Sequence, residues 1–102
     1  MVAVTPQFQL NTDTAGTLGV SGVLSFATAT GAWQAIRSAL GDRQLTCLDL
    51  AGVRQSDSAG LSCVVAVVAE SVSAGRPVQA THIPASMLAL ARVCEVDRLL
   101  TS

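Results

Sequence analysis

The chain has 102 residues, of which half are hydrophobic, only 3% aromatic and 13% charged. Its net charge is −1, and its six basic residues are arginines scattered along the chain. Phosphate contacts need clustered positive charge, so nucleic-acid binding is not expected. A chain of this length buries most of its apolar surface in one domain, which we expect to span residues 1–102.

The cysteine and histidine content argues against a metal site or a cofactor. Cys47, Cys63 and Cys94 are widely spaced and form no C-x-x-C pair, and His82 is the only histidine. A zinc site needs several such ligands in a defined spacing. No glycine-rich phosphate loop occurs either, so the chain is not itself expected to be an ATPase. We expect buried, reduced thiols, no metal and no cofactor.

The hydrophobic residues do not form a membrane span. The longest apolar run, residues 63–69, is far shorter than the roughly 20 residues that cross a bilayer. The N-terminus lacks the basic region and apolar core of a signal peptide. Together with the reduced thiols, this predicts a cytoplasmic protein. The mean hydropathy of +0.51 is high for a soluble monomer and indicates apolar surface left for a partner.

The first half of the chain predicts a hairpin, a helix and a strand. Residues 8–10 and 17–23 alternate between apolar and polar around a polar turn, which is typical of an antiparallel hairpin. From Phe26 to Leu40 the apolar spacing becomes helical, and Gly41 suits a C-terminal cap. Residues 45–50 have the pattern of a central strand.

The second half predicts two more helices separated by a strand. A helix over residues 61–73 has an apolar stripe at helical spacing, formed by Leu61, Val64, Val65, Val68 and Val72. Gly75 ends this helix, a strand follows over residues 78–83, and Pro84 opens a helix that runs to about residue 93. A short turn or helix covers residues 95–100. The order predicts an α/β fold whose mixed sheet begins with an antiparallel hairpin and carries helices mainly on one face.

Residues 47–61 are the most informative part of the chain. A strand-like run ends in a polar turn that places one hydroxyl at the start of the next helix. Asp57 or Ser58 can cap that helix, and the small residues Ala59 and Gly60 leave the hydroxyl unshielded. Such a serine is accessible to a partner protein or a kinase. It is not expected to be a nucleophile, because the chain offers no obvious base.

Leu48-Asp49-Leu50 followed by Asp57-Ser58-Ala59-Gly60-Leu61 resembles the pattern of a STAS domain. In that family a strand ending in Asp-Leu leads to an Asp-Ser/Thr-x-Gly-Leu turn that opens a helix. The resemblance covers nearly the whole chain, and residues 17–24 occupy the place of the family's early strand. The turn and the segments 83–93 and 96–100 are most similar to the small cytoplasmic subunits of bacterial phospholipid-transporting ABC complexes. Val23 and Ser25 depart from the family, which commonly has acidic residues there.

The resemblance implies a non-catalytic domain that binds the ATPase subunit of an ABC transporter of phospholipids, which maintains outer-membrane lipid asymmetry. The chain would then lie at the inner face of the inner membrane only through its complex. The expected partner interface consists of Arg54, Gln55, Ser56, Asp57, Ser58, Ala59, Gly60, Leu61 and Ser62. The alternative is an anti-sigma-factor antagonist regulated by phosphorylation of Ser58. A third hypothesis is a sensor module that binds a small ligand beside the turn.

Several of these residues also have plain structural interpretations. Ser58 can be a simple helix cap worth roughly 1 kcal/mol, with Asp57 as a second capping group. Trp33 is more often a core anchor than an interface residue. His82 has no cysteine or carboxylate spaced for it, which favours an ordinary surface histidine.

Overall fold

The computed structural model describes residues 8–42 and 45–101, and the side chains of residues 42 and 101 are not part of that description. The expected domain also includes residues 1–7, 43, 44 and 102, which lie outside the described residues. The elements in chain order are β1 (Phe8–Asn11), β2 (Thr17–Leu24), α1 (Ala29–Asp42), β3 (Cys47–Ser56), α2 (Ser58–Ser73), β4 (Gln79–Thr81), α3 (Ala85–Val93) and α4 (Asp97–Thr101).

The four described strands form one mixed sheet in the order β1-β2-β3-β4. The β1 and β2 strands are antiparallel and form the predicted hairpin. The two following pairs are parallel, and they place Leu18, Leu48 and Ala80 side by side. Between Gly19 and Val23 the pairing of β2 with β3 shifts register twice. The mixed sheet is therefore confirmed. The first shift lies opposite residues 49–52 of β3 and the second opposite residues 53–55, close to the end that leads into α2.

The core lies on one face of the sheet. Alternate residues of β2 and β3 are buried, among them Val20, Leu50 and Val53. They pack against helical residues such as Ile36 and Val64, both of which are fully buried. The α2 helix contacts β2, β3 and each of the other three helices. The prediction of helices mainly on one face is thus confirmed.

Several predicted boundaries were wrong. The α1 helix begins at Ala29, three residues after Phe26, because residues 25–28 form a turn in which the Ala29 amide donates to the Ser25 carbonyl at 2.8 Å. Gly41 lies in the last turn of α1 and does not cap it. The β3 strand continues to Ser56, so most of the predicted polar turn is strand. Pairing with β2 supplies the hydrogen bonds that make this extension favourable.

The α2 helix begins earlier than predicted and buries a different set of residues. Val72, assigned to the buried stripe, is 61% exposed, whereas Cys63 and Val67 are buried. The buried face is wider than one stripe because α2 is covered by the sheet and by three helices. The predicted end is correct: Gly75 has φ +74° and its amide donates to the Val72 carbonyl at 3.0 Å.

The cysteines differ from the expectation of buried thiols. Cys63 is buried, Cys47 is half-buried and Cys94 is exposed. Burial raises the pKa of the Cys63 thiol to about 11, which makes it a poor nucleophile. The expectation therefore holds fully only for Cys63.

The helices of the described ranges include none that is both long enough and apolar enough to cross a membrane.

Candidate functional site

The α2 helix is capped by Asp57 and not by Ser58. Asp57 has extended backbone angles (φ −121°, ψ −168°), and its Oδ1 accepts a hydrogen bond from the Gly60 amide at 3.0 Å. Ser58 is the first residue of the helix. The interpretation of Ser58 as the capping residue is therefore wrong, because the neighbouring carboxylate already satisfies the third amide of the helix.

The same carboxylate also holds the loop that precedes α1. Its second oxygen, Oδ2, accepts a hydrogen bond from the Phe26 amide at 3.0 Å. The Asp57 amide in turn donates to the Leu24 carbonyl at 3.2 Å. The hydrogen bonds from Gly60 and Phe26 hold the pKa of the Asp57 carboxyl below its usual range. An ionised side chain thus joins the end of β2 to the start of α2.

Gly60 lets the start of α2 lie directly against the end of β2. A Cβ atom at this position would lie 2.2 Å from the Leu24 carbonyl oxygen. No side chain fits there without moving one of the two elements. Steric contact with β2, and not exposure of the neighbouring hydroxyl, is the reason for a glycine in the Asp57-Ser58-Ala59-Gly60 turn.

The Ser58 hydroxyl is exposed and makes no hydrogen bond with the part of the chain that the structure describes. Only its backbone carbonyl is used, as the acceptor for the Ser62 hydroxyl at 2.9 Å. Ser62 is exposed one turn later, and Ala59 is half-buried between them. The first turn of α2 therefore displays a donor and acceptor group that the fold itself does not employ.

The remaining residues of the predicted interface fall into two groups. Arg54 and Gln55 are exposed near the end of β3, and Ser56 is half-buried beside them. Gly60 and Leu61 are buried on the side of α2 that faces the core. These two residues fix the position of the helix and do not face outward. The interface itself stays a prediction.

The sequence interpretation did not assign a role to Phe26, which lies beside this site. Its side chain is 86% exposed. Together with Ala59 and Ser62 it lines an open trough between α1 and α2. The predicted helix began at Phe26, so its exposure was not foreseen. A residue in a turn does not follow the burial pattern of the helix after it.

The far end of the trough is fixed by a polar cluster between α1 and α2. The indole nitrogen of half-buried Trp33 donates to the Glu70 Oε1 at 3.2 Å, and the Arg37 Nε lies 2.8 Å from Oε2 of the same carboxylate. The Arg37 guanidinium lies 4.8 Å from the centre of the Trp33 ring. Trp33 thus joins the two helices and also forms part of the trough wall.

His82 has a carboxylate partner that its sequence spacing did not reveal. Its Nδ1 lies 3.0 Å from the Asp49 Oδ1, on β3. Asp49 Oδ1 also accepts a hydrogen bond from the Ala51 amide at 2.9 Å. The hydrogen bonds from Ala51 and His82 lower the pKa of the Asp49 carboxyl, and the bond from Ala51 has the larger effect. Residues 8–42 and 45–101 contain no cluster of three or more potential metal ligands. This pair therefore gives no support to a metal site or to a base for Ser58.

Comparisons with known proteins agree with this architecture. The family model described as "Mlab, STAS domain" matches residues 9–101. Among solved structures, the chain is similar to the anti-sigma factor antagonist SpoIIAA in its unphosphorylated form, with a TM-score of 0.62 and 18% identity over 83% of this chain and 81% of that chain. At this identity the likeness concerns the fold. The search of curated proteins found no match. Because the family model covers nearly the whole sequence, the chain belongs to the STAS-domain family, with MlaB as the member that the matching model describes.

Proposed function

We propose that this chain is a non-catalytic STAS subunit that binds and supports the ATPase of an ABC-type phospholipid transporter. The partner is an MlaF-like ATPase, and the transporter maintains outer-membrane lipid asymmetry. The chain lies at the cytoplasmic face of the inner membrane through this complex. The exposed Ser58 hydroxyl at the start of α2, which has no hydrogen-bond partner among the described residues, is the observation that carries the proposal. The MlaB description of the matching family supports it.

The surroundings of Ser58 suit binding better than catalysis. A nucleophilic serine needs a base within hydrogen-bond reach. The described histidine, His82, is engaged with Asp49 and makes no hydrogen bond with Ser58. The Asp57 carboxylate is occupied by two backbone amides. A hydroxyl on a rigid helix start supplies one oriented donor and acceptor to a partner at little entropic cost.

A phosphate on Ser58 would be tolerated by the fold and would oppose docking. It would lie at a helix N-terminus, where the helix dipole favours negative charge by about 0.3–1 kcal/mol. It also brings close to two negative charges next to the ionised Asp57 carboxylate. Desolvating them in an interface costs several kcal/mol, which exceeds the favourable dipole interaction. Modification would therefore act as a switch that releases the partner.

The second candidate is an anti-sigma-factor antagonist, which the similarity to the SpoIIAA fold favours. In this alternative a kinase-like partner binds the same surface and transfers phosphate to Ser58. The two functions use the same residue, so the identity of the partner distinguishes them.

A purification of the tagged chain from native membranes tests the proposal. We expect an ABC ATPase to co-purify with the wild-type chain but not with Ser58→Arg, because the arginine side chain would fill the space in which the partner contacts Ser58. Ser73→Arg is the matched control: Ser73 is exposed at the other end of α2, where a positive charge suits the helix dipole.

Circular dichroism should show that both variants are folded, with at most a small loss of stability in Ser58→Arg, because a positive charge at a helix N-terminus opposes the helix dipole by about 0.3–1 kcal/mol. Retention of the ATPase by a folded Ser58→Arg variant would contradict the proposal. Recovery of a kinase-like protein, with ATP-dependent phosphate on Ser58, would establish the alternative instead.

A further inference from the structure

We propose that Phe26 is an anchor residue of the same interface and inserts into an apolar pocket of the ATPase subunit beside the Ser58 contact. This inference rests on the proposed function and adds to it a residue outside the Asp57–Ser62 turn. It also predicts the chemistry of the partner surface, which is apolar and uncharged where it meets the trough that Phe26, Trp33, Ala59 and Ser62 line.

The exposure of Phe26 has no explanation within the fold. Its side chain is 86% exposed, although phenylalanine is among the residues most often buried. A single exposed apolar residue is ordinary, and Val93 at 80% is an example. Phe26 differs because its backbone amide is bonded to Asp57, the residue that caps α2, and its side chain lines the trough together with Ala59 and Ser62 of the first turns of α2.

The backbone around Phe26 is held in place before any partner arrives. Its amide is bound by Asp57 Oδ2 at 3.0 Å. The Thr28 hydroxyl accepts from the Ser25 amide at 2.9 Å and donates to the Val23 carbonyl at 3.0 Å. A loop fixed at both ends loses little conformational entropy on binding, which is the property of a good anchor position.

The residues that line the trough beside Phe26 indicate the polarity of the partner surface that would fit there. Its floor on α2 is made of small side chains, Ala59, Ser62 and Ala66, and its walls include Phe26 and Trp33. No charged side chain is among the described residues that line it, although Asp57 and the Arg37–Glu70 pair lie beyond its two ends. A charged group placed over the small side chains of the floor would lose its hydration without touching a charged lining residue, so this part of the surface fits an apolar segment.

The trough is continuous with the predicted interface around Ser58, so we assign the apolar segment to the ATPase. Ala59 and Ser62 belong both to the trough and to the predicted interface. A partner that contacts Ser58 and Ser62 therefore covers the trough as well. Aromatic residues at the centre of such an interface commonly carry a large share of the binding free energy.

The test is the affinity of the purified chain for the ABC ATPase that co-purifies with it, measured by titration calorimetry. We expect Phe26→Ala to weaken binding by about 30-fold, the size of effect seen at aromatic anchors. Phe26→Leu, which keeps an apolar side chain, should weaken it by less than about fivefold. Val93→Ala, at a similarly exposed position outside the trough, should bind like wild type.

The outcomes separate this inference from the function on which it rests. Wild-type affinity of Phe26→Ala, with Ser58→Arg still unable to bind, would overturn the role of Phe26 and leave the proposed function intact. A clear fall in the melting temperature of Phe26→Ala would also overturn it, because the ring would then belong to the fold. Failure of the wild-type chain to bind any ABC ATPase would remove the proposed function and this inference together.

Discussion

Ser58 begins α2 and Ser71 lies in its last turn, and of these two hydroxyls the described part of the fold uses only that of Ser71. Ser71 is buried: its hydroxyl donates to the Val68 carbonyl at 2.6 Å and accepts from the Val78 amide at 3.0 Å. Ser58 is exposed and its hydroxyl has no partner among the described residues. The same side chain is therefore structural at one end of the helix and free for an intermolecular contact at the other.

The difference arises from which groups satisfy the helix termini. At the start, the Asp57 carboxylate takes the capping position and leaves Ser58 unused. At the end, the Gly75 and Arg76 amides donate to the carbonyls of Val72 and Ser71, both at 3.0 Å, while the Ser71 hydroxyl accepts from the amide of Val78, the residue before β4. The carbonyl groups and the Ser71 hydroxyl at the C-terminal end are thus bonded within the chain. At the N-terminal end the Ser58 hydroxyl is available to a partner.

The largest expected effect on stability is at Gly60. Gly60→Ala places a Cβ atom 2.2 Å from the Leu24 carbonyl oxygen, so α2 must move away from β2. We expect a loss of about 3 kcal/mol in the free energy of unfolding, the upper part of the range for overpacking. Urea denaturation measures this loss directly.

Gly41→Ala is the matched control for Gly60→Ala. Gly41 is helical as well, but a Cβ atom there has no neighbour within 4 Å among the described residues. Alanine should stabilise α1 by up to about 1 kcal/mol through helix propensity. Equal effects of the two substitutions would show that Gly60 is not required by close packing.

A smaller effect distinguishes Ser58 from Ser71, two of the four serines of α2. Ser71→Ala removes the acceptor of the buried Val78 amide and should cost about 1–2 kcal/mol. Ser58→Ala should change the free energy of unfolding by no more than about 0.5 kcal/mol. If Ser58→Ala proves as destabilising as Ser71→Ala in the same urea titration, the hydroxyl at the start of α2 is structural after all.

The smallest effect concerns the charge on Asp57. Hydrogen bonds lower its pKa in the folded chain, so its carboxylate stabilises the fold above the pKa of the unfolded chain. This contribution is lost as the pH falls through the lowered folded pKa. Asparagine also caps helices, so Asp57→Asn keeps the cap, removes the charge and replaces the oxygen that accepts from the Phe26 amide with an NH2 group, which cannot accept.

We therefore expect Asp57→Asn to lower the melting temperature at pH 7 and to match wild type in strong acid. Asp13→Asn, in the hairpin turn, is the control for loss of a carboxylate that has no hydrogen bond or ion pair among the described residues. A constant difference between wild type and Asp57→Asn at all pH values would exclude the role of the charge. Thermal unfolding at several pH values supplies the measurement.

Local patterns were sufficient to predict the order of the elements. The alternation in residues 8–10 and 17–23 predicted the β1–β2 hairpin, and Gly75 correctly marked the end of α2. The apolar stripe failed at Val72, which is exposed. Helical spacing gives the period of a buried face, but its width depends on how many elements cover the helix.

The sequence by itself determined the fold class, the helix that follows β3 and the exposed serine at its start, because these depend on neighbours a few residues away. Tertiary structure alone decided that Asp57 caps α2 while binding Phe26, and that Gly60 touches Leu24. The physical reason is sequence distance: Asp57 and Phe26 are separated by 31 residues, and only the pairing of β2 with β3 brings them together.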